Sequence, residues 1–215
     1  MTESATGIIL RTRPLTESSM IVLWLTRDLG RLATVAKGAR RQKSPFLGRL
    51  DLFYLADFSF NRSRRSELHA LREVNLRETH SALRGDMLKL RQAAYAAAFI
   101  EQATETETPL TGVFELLRGF VDHLCRQPPA PQMIFALELK LLREIGLFPD
   151  WNKTNLPAGT IKTATVLAEN DWSALSRLKP TRDQCEELRR FLHGFLIYHL
   201  DRMPKGRAAA LACNT

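Results

Sequence analysis

The sequence has few cysteines, and their spacing excludes the sites that cysteines usually build. Three occur in 215 residues, Cys125, Cys185 and Cys213, and none forms a CxxC pair. A structural zinc site therefore lacks its ligands, and an odd, scattered set does not make a disulfide framework. A reducing cytoplasm is the compartment that this usage fits best.

Long apolar runs and targeting signals are also missing. The opening MTESATGIIL has neither the basic start nor the apolar core of a signal peptide. The longest apolar run, Ala93 to Ile100, is too short and too rich in alanine to cross a bilayer. We expect no membrane partner.

Motifs for common enzyme chemistry are absent as well. The chain contains no GxGxxG, GKS, GKT, HExxH or GxSxG, and its five histidines never fall at i, i+4 spacing. Glu105, Glu107 and Asp122 have the right chemistry for magnesium, but acids at helix ends and in loops more often serve solubility. We predict no enzyme, no cofactor and no metal site. A nucleic-acid enzyme with a dispersed carboxylate-metal site is the alternative from this class.

What the chain does have is positive charge, concentrated in its first part. The formal net charge is +8. Up to His80 there are 14 Lys and Arg against 8 Asp and Glu, whereas from Ser81 onward there are 17 against 15. An asymmetry of this kind hints at a nucleic-acid or acidic-membrane partner, and of the two we expect nucleic acid.

The most basic stretch is Ala36–Arg49, which we call the basic loop. It contains no acid, and Gly38 and Gly48 argue against a regular helix or strand. Phe46 lies within the charge, and cations with an aromatic on a flexible backbone suit a polyanion. The alternative is a solvated loop. Its cations are Lys37, Arg40, Arg41, Lys43 and Arg49.

Five short segments before residue 80 are rich in β-branched and aromatic residues and are separated by turn signals, which is typical of a small barrel or sandwich. A five-stranded barrel of the oligonucleotide-binding (OB) type is one such option. The predicted strands are 6–13, 20–26, 31–37, 53–61 and 68–76.

After residue 79 the apolar period becomes helical, so the predicted fold class is α+β, with a β domain at 1–79 and a helical domain at 80–215. Thr181 and Gln184 form a capping box before the last long helix. The segment 147–170 is expected to be irregular, with a short β segment at Thr160–Leu167, and the tail from Pro204 to fray. The predicted helices are 83–104, 111–126, 133–145 and one that begins at Thr181, with one or two helical turns at 171–178.

A second acid-free cluster lies between the fourth and fifth predicted strands, and we call the segment Asn61–Ser66 the basic hairpin. If it and the basic loop flank one face of a barrel, they form a groove for single-stranded nucleic acid. Phe46, Phe53 and Tyr54 are the candidates for stacking on bases, and strand residues Arg11, Arg13 and Arg31 extend the track. The predicted DNA-binding residues are Arg31, Lys37, Arg40, Arg41, Lys43, Phe46, Arg49, Arg62, Arg64 and Arg65.

The opening GIILRTRPLTESSMIVLWLTRDLGRLATVAKGARRQKSPFLGRLDLF, residues 7–53, resembles the N-terminal signature of the RecO family of DNA repair proteins. Arg11 to Glu17 is similar to the family's RxRPxxE turn, and Leu25 to Arg41 to its LTxxxGRxxxVAKGARR run. Further similar stretches are LREVNL, FELLRGFVDHL, ALELKLLREIGLFPDW and FLHGFLIYHL, so the resemblance spans about Gly7 to Arg207.

The resemblance implies an OB barrel followed by a helical domain, and a recombination mediator rather than an enzyme. Such proteins bind single- and double-stranded DNA, anneal complementary strands and help load a recombinase. It implies RecR and the acidic C-terminal tail of single-strand-binding protein as partners, and a cytoplasmic, nucleoid-associated location. Many members carry a four-cysteine zinc module after GLFPD. Here Trp151 follows and no cysteine occurs before Cys185, so the metal is not carried over.

Two further hypotheses remain open from the sequence. One is an RNA-binding or ribosome-associated module on the same barrel. The other is a structural helical adaptor whose basic loops only confer solubility.

Overall fold

The computed structural model describes residues 2–212, which form two compact units. The first unit runs to Ser81 and includes Thr104–Arg118, and the second comprises Ala82–Ala103 and the residues from Gly119 onward. The division into domains at 1–79 and 80–215 stays a prediction.

The first unit is built around a closed barrel in the order β1-β2-β3-β5-β4, with β3 and β5 parallel and the other pairs antiparallel. The prediction of a five-stranded OB-type barrel followed by helices is confirmed, and the sandwich is excluded. Strands β1 and β5 extend beyond their predicted ends. The strands are β1 Thr2–Pro14, β2 Met20–Thr26, β3 Arg31–Ala36, β4 Leu55–Asn61 and β5 Leu68–Glu78.

The barrel interior is filled by the alternate residues that strand periodicity directs inward. Phe58 and Phe60 of β4 are 2% and 0% exposed. The Trp24 ring stacks on Phe58 with centroids 4.0 Å apart, and its Nε1–H donates to Thr34 Oγ1 at 2.9 Å. This bond satisfies the polar edge of a buried indole, as a dry core requires.

The strand register places the two basic segments at opposite ends of the barrel. The basic loop leaves β3 after Ala36, which pairs with Met20 at the start of β2. The basic hairpin enters β5 at Leu68, which pairs with Ala33 near the start of β3. The six residues of β3 separate these ends by roughly 20 Å. The two segments therefore bracket the β3–β5 seam from either end.

The second unit contains most of the helices, several of which match their predicted ranges within a few residues. The capping box of α6 is present, with Gln184 N–H donating to Thr181 Oγ1 at 3.2 Å. Short 3₁₀ turns occur at Ser81–Gly85 and Trp151–Lys153. Of the helices in residues 2–212, none is long and apolar enough to span a membrane. The helices are α1 Met87–Ala103, α2 Thr111–Arg126, α3 Pro131–Glu144, α4 Ala158–Glu169, α5 Trp172–Leu175, α6 Arg182–Leu200 and α7 Arg207–Ala210.

The short β segment predicted at Thr160–Leu167 is wrong, because this stretch lies inside α4. Its buried residues, Thr160, Thr163, Ala164, Leu167 and Ala168, recur at the spacing of a helix face. The hydroxyls of two threonines bond the carbonyl four residues earlier, Thr163 to Gly159 at 3.0 Å being one example. Their β-branched side chains imitated a strand signal in the sequence.

The tail from Pro204 is not a fraying polar segment over its described part. It forms α7, in which Arg207 is buried and donates to both carboxylate oxygens of buried Glu138, at 2.6 and 2.9 Å. Such a pair holds the helix in place, because breaking it would leave a buried charge without a partner. Cys213 lies outside the described residues.

Candidate nucleic-acid interface

The basic loop is an ordered succession of tight turns rather than a flexible segment. Its N–H groups repeatedly bond the carbonyl three residues earlier, for example Ser44 to Arg41 at 3.1 Å and Leu47 to Ser44 at 3.2 Å. The Phe46 ring is 6% exposed and belongs to the barrel core, whereas Leu47 is 66% exposed. Phe46 thus anchors the loop, and a ring buried to this extent cannot stack on a base in this conformation.

Two arginines of the basic loop are tied back to the barrel. Arg40 N–H donates to Ser18 O and its Nη1 to Thr16 O, both at 3.0 Å, so the loop is fixed to the turn between β1 and β2. Arg49 Nη1 donates to Val74 O at 2.9 Å. Both side chains remain exposed and retain further donors.

The remaining three cations of the basic loop are exposed and have no counter-ion in the described chain. Within residues 2–212, the side chains of Lys37, Arg41 and Lys43 form no ion pair or hydrogen bond with the protein. Their charge is therefore available to an outside anion.

The other two stacking candidates also point toward the barrel. Phe53 is 2% exposed, and its N–H donates to Ile9 O at 2.8 Å. Tyr54 is half-buried and packs against the barrel core.

Arg31 is the first residue of β3 and is half-buried, and it binds the segment that follows α1. Its Nε donates to Thr104 Oγ1 at 2.8 Å, and its Nη2 donates to the Thr104 carbonyl. Its own carbonyl accepts from Glu107 N–H at 2.7 Å. These contacts fix residues 104–107 on the end of the barrel that carries the basic hairpin.

Arg62 of the basic hairpin is held by two carboxylates. Its Nε and Nη2 donate to Glu3 at 2.8 and 3.0 Å, and its Nη1 donates to Glu107. Buried His69 accepts from Ser63 N–H through Nδ1 at 3.2 Å, so Nε2 carries the proton that is donated to Glu107 at 2.6 Å. We call Glu3, Arg62, His69 and Glu107 the acid clamp.

The contacts of the acid clamp shift the pKa values of Glu3, Glu107 and Arg62. Hydrogen bonds from Arg62 hold the pKa of Glu3 below its usual range. For Glu107, burial raises the pKa, but the bonds from His69 and Arg62 outweigh it and the net pKa is lowered. The pKa of Arg62 is raised, chiefly by its bond to Glu3. Arg62 therefore stays charged, and that charge is largely neutralised within the barrel unit.

Arg64 and Arg65 are exposed at the tip of the basic hairpin, and within residues 2–212 their side chains form no ion pair. They line a cavity of about 540 Å³ together with Arg62, Ser63, Ser66, Glu67, His69, Thr106 and Glu107. Within the described chain, the structure thus brings two clusters of cations without ion pairs to the two ends of the β3–β5 seam. The basic loop has five, of which Arg40 and Arg49 bond backbone carbonyls, and the basic hairpin has two.

The partners in the acid clamp are residues that the sequence did not indicate. Glu3, His69 and Glu107 lie 59, 7 and 45 positions from Arg62, so local sequence spacing does not predict their contacts with one another. Glu107 was considered only as a magnesium ligand. Its position depends on the chain path after α1, which becomes visible only in the fold.

The fold and surface define a small OB-type barrel unit with exposed cations at both ends of one seam, accompanied by a helical unit. The family described as Recombination protein O N terminal matches residues 1–80, and Recombination protein O C terminal matches residues 84–155. The chain belongs to the RecO family of DNA repair proteins.

Individual relatives agree with this assignment. The DNA repair protein RecO of Anaeromyxobacter sp. strain K is 35% identical over 144 residues, which are 67% of this chain and 57% of the relative. RecO of Exiguobacterium sibiricum is 28% identical over 211 residues, covering 94% of this chain and 82% of the relative. RecO of Alkaliphilus metalliredigens is 27% identical over 232 residues, covering 92% of this chain and 93% of the relative. The alignments with the Anaeromyxobacter relatives thus span little more than half of those proteins' length.

Proposed function

We propose that this chain is a non-enzymatic recombination mediator that binds single- and double-stranded DNA and anneals complementary strands. The observation that carries the proposal is the set of exposed cations without ion pairs in the described chain, Lys37, Arg41 and Lys43 at one end of the β3–β5 seam and Arg64 and Arg65 at the other. Their phosphate contacts release counterions and need no base readout, so binding is independent of sequence.

Annealing follows from holding two polyanions on one cationic surface. Neutralised phosphates repel each other less, which raises the rate at which complementary strands meet. This step requires no nucleotide hydrolysis.

The proposed cellular role is to help load a recombinase onto DNA coated by single-strand-binding protein, in the cytoplasm and at the nucleoid. The proposed protein partners are RecR and the acidic C-terminal tail of single-strand-binding protein. Membership of a DNA repair family supports these assignments.

The experiment is strand annealing, with and without single-strand-binding protein, by the wild type and by the triple variant Lys37→Glu/Arg41→Glu/Lys43→Glu. A matched control, Lys162→Glu/Arg177→Glu/Lys179→Glu, makes the same change of net charge at exposed residues of the helical unit. We expect the wild type and the control to accelerate annealing and the loop variant to lose most of this effect. Equal annealing by both variants would reject the basic loop as the site.

Two further experiments test the alternative functions, an RNA-binding module and a nuclease. Labelled RNA in competition with DNA tests the RNA-binding alternative, because an RNA-specific module would bind RNA preferentially. Incubation of labelled DNA with magnesium tests for a nuclease, and strand cleavage would contradict the mediator function.

A further inference from the structure

A continuous series of aromatic rings lies along the surface of the helical unit. We call Phe148, Trp151, Phe191, Phe195, Tyr198 and His199 the aromatic ladder. Successive centroids are 5.5, 5.8, 5.6 and 4.3 Å apart from Phe148 to His199, and Tyr198 lies 4.9 Å from His199. The ladder combines the 3₁₀ turn after α3 with one face of α6.

The ladder is distinct from the buried stripe of α6. The fully buried residues of α6 are Leu188, Leu192 and Leu196. The ladder residues Phe191 and Phe195 are half-buried, and His199 is exposed. Tyr198 is 81% exposed. Phe191 and Phe195 lie beside that stripe, and part of each ring remains at the surface.

Cations accompany the rings. The Arg143 guanidinium lies 4.5 Å from the Phe148 ring centroid. Lys153 and Arg190 line a cavity of about 600 Å³ together with Phe191, Thr154, Asn155 and Glu187. Lys153 pairs with Asp150 at 3.3 Å, and the Glu187 carboxylate accepts from Thr160 Oγ1. Arg190 is exposed and forms no side-chain ion pair within residues 2–212.

We propose that the aromatic ladder is a second binding surface for single-stranded DNA, on which bases stack while Arg190 contacts phosphates. Rings in series beside a cationic cavity match the way in which single strands are held without sequence preference. A hydrophobic protein partner would instead favour a broad aliphatic patch. On α6, the one large aliphatic side chain that is exposed beside Tyr198 is Ile197, at 40%. The inference rests on the proposed function, because annealing needs surfaces for two strands.

Trp151 supplies an internal reporter for this proposal. Of the three tryptophans, Trp24 is fully buried in the barrel and Trp172 packs against Phe120 and His123, whereas Trp151 belongs to the ladder. We expect a short oligo-dT to quench tryptophan fluorescence in the wild type and most of this quenching to vanish in Trp151→Phe. Undiminished quenching in that variant would overturn the proposal.

Affinity of short oligo-dT gives an independent readout, measured in the Lys37→Glu/Arg41→Glu/Lys43→Glu background to remove the basic loop. There we expect Tyr198→Ala to weaken binding about fivefold or more, since stacking contributes ~1–3 kcal/mol per base. Tyr198→Phe keeps the ring and should bind normally, as should the neighbouring control Ile197→Ala. Equal affinity of Tyr198→Ala and Ile197→Ala would overturn the proposal.

The two proposals fail in different ways. If the loop variant anneals normally while Tyr198→Ala binds more weakly, the basic loop is rejected and the ladder stands. If an acidic apolar peptide quenches Trp151 and oligo-dT does not, the ladder serves a protein partner. If Tyr198→Ala instead dissociates a dimer in sedimentation without changing DNA affinity, it is an interface between copies. Either of the last two results overturns the inference.

Discussion

At the residue scale, side chains that look equivalent in the sequence differ in what they contact. Arg62 is bound by two carboxylates, whereas Arg64 and Arg65, two and three positions later, are exposed without an ion pair in the described chain. Phe46 is inside the barrel and Leu47 is outside it. Burial and long-range partners, rather than residue type, thus separate structural residues from those available to DNA.

Phe46→Ala tests whether this ring is an anchor. Because the side chain is almost fully buried, we expect a loss of about 3–5 kcal/mol in the free energy of unfolding. Leu47→Ala is the matched control and should cost under about 0.5 kcal/mol. Urea denaturation measures both values. A Phe46→Ala protein of unchanged stability and reduced DNA affinity would identify a stacking residue instead.

The acid clamp predicts a pH dependence of stability. The pKa of Glu107 is lowered in the folded protein, so the unfolded chain binds more protons in acid. Its contribution is complete above the usual glutamate pKa of about 4.5 and is lost as pH falls through the lower folded value. At pH 7, Glu107→Gln should therefore lower the free energy of unfolding by ~1 kcal/mol. Below pH ~4.5, the variant should lose less of its unfolding free energy than the wild type does.

Chemical denaturation at pH 7 and at about pH 3.5 measures this difference. Glu105→Gln, an exposed neighbour, is the control and should follow the wild type. The clamp would be contradicted if the gap between Glu107→Gln and the wild type were the same at both pH values.

At the scale of elements, two glycines with the same backbone conformation stand in different surroundings. Gly30 before β3 and Gly48 in the basic loop both have φ of 70°. A Cβ at Gly30 would lie 2.2 Å from Thr108 O, whereas nothing lies within 4 Å of one at Gly48. The first glycine allows a close approach of backbones, and the second only gives the loop its turn.

Gly48→Ala should therefore lower the free energy of unfolding by ~1 kcal/mol, because alanine disfavours this backbone conformation. Gly30→Ala should lower it by about 3–4 kcal/mol, because the clash with the Thr108 backbone adds to the conformational cost. Thermal unfolding of both variants measures the difference. Equal costs would mean that residues 104–108 do not pack against β3 as described.

The same scale explains which parts of the fold could be predicted. The strands could be read from their period because alternation at Phe58 and Phe60 is a local pattern, and the α6 cap because Thr181 and Gln184 are three residues apart. Helix α4 could not, since Thr163 and Thr165 favour strands when read locally and their hydroxyl bonds appear only in the helix. Residue contacts such as Arg62 with Glu107 need the closed barrel and could not be inferred from spacing.

At the scale of the whole molecule, each unit carries its own cationic or aromatic surface. The barrel unit has exposed cations at both ends of the β3–β5 seam, and the helical unit has the aromatic ladder with Arg190. The backbone of the basic loop is positioned by a buried Phe46 and by Arg40, so its exposed cations project from a fixed backbone before any anion binds. This preorganisation reduces the ordering cost of binding.

The most direct test of the central claim is the salt dependence of single-stranded DNA binding by the wild type and by Lys37→Ala/Arg41→Ala/Lys43→Ala. Each phosphate contact on a single strand contributes about 0.7 to the slope of log K against log salt, so the loop variant should lose about 2. Lys162→Ala/Arg177→Ala/Lys179→Ala, the control with the same charge change, should keep the wild-type slope. A loop variant with the wild-type slope would contradict the account, because its three cations would then contact no phosphate.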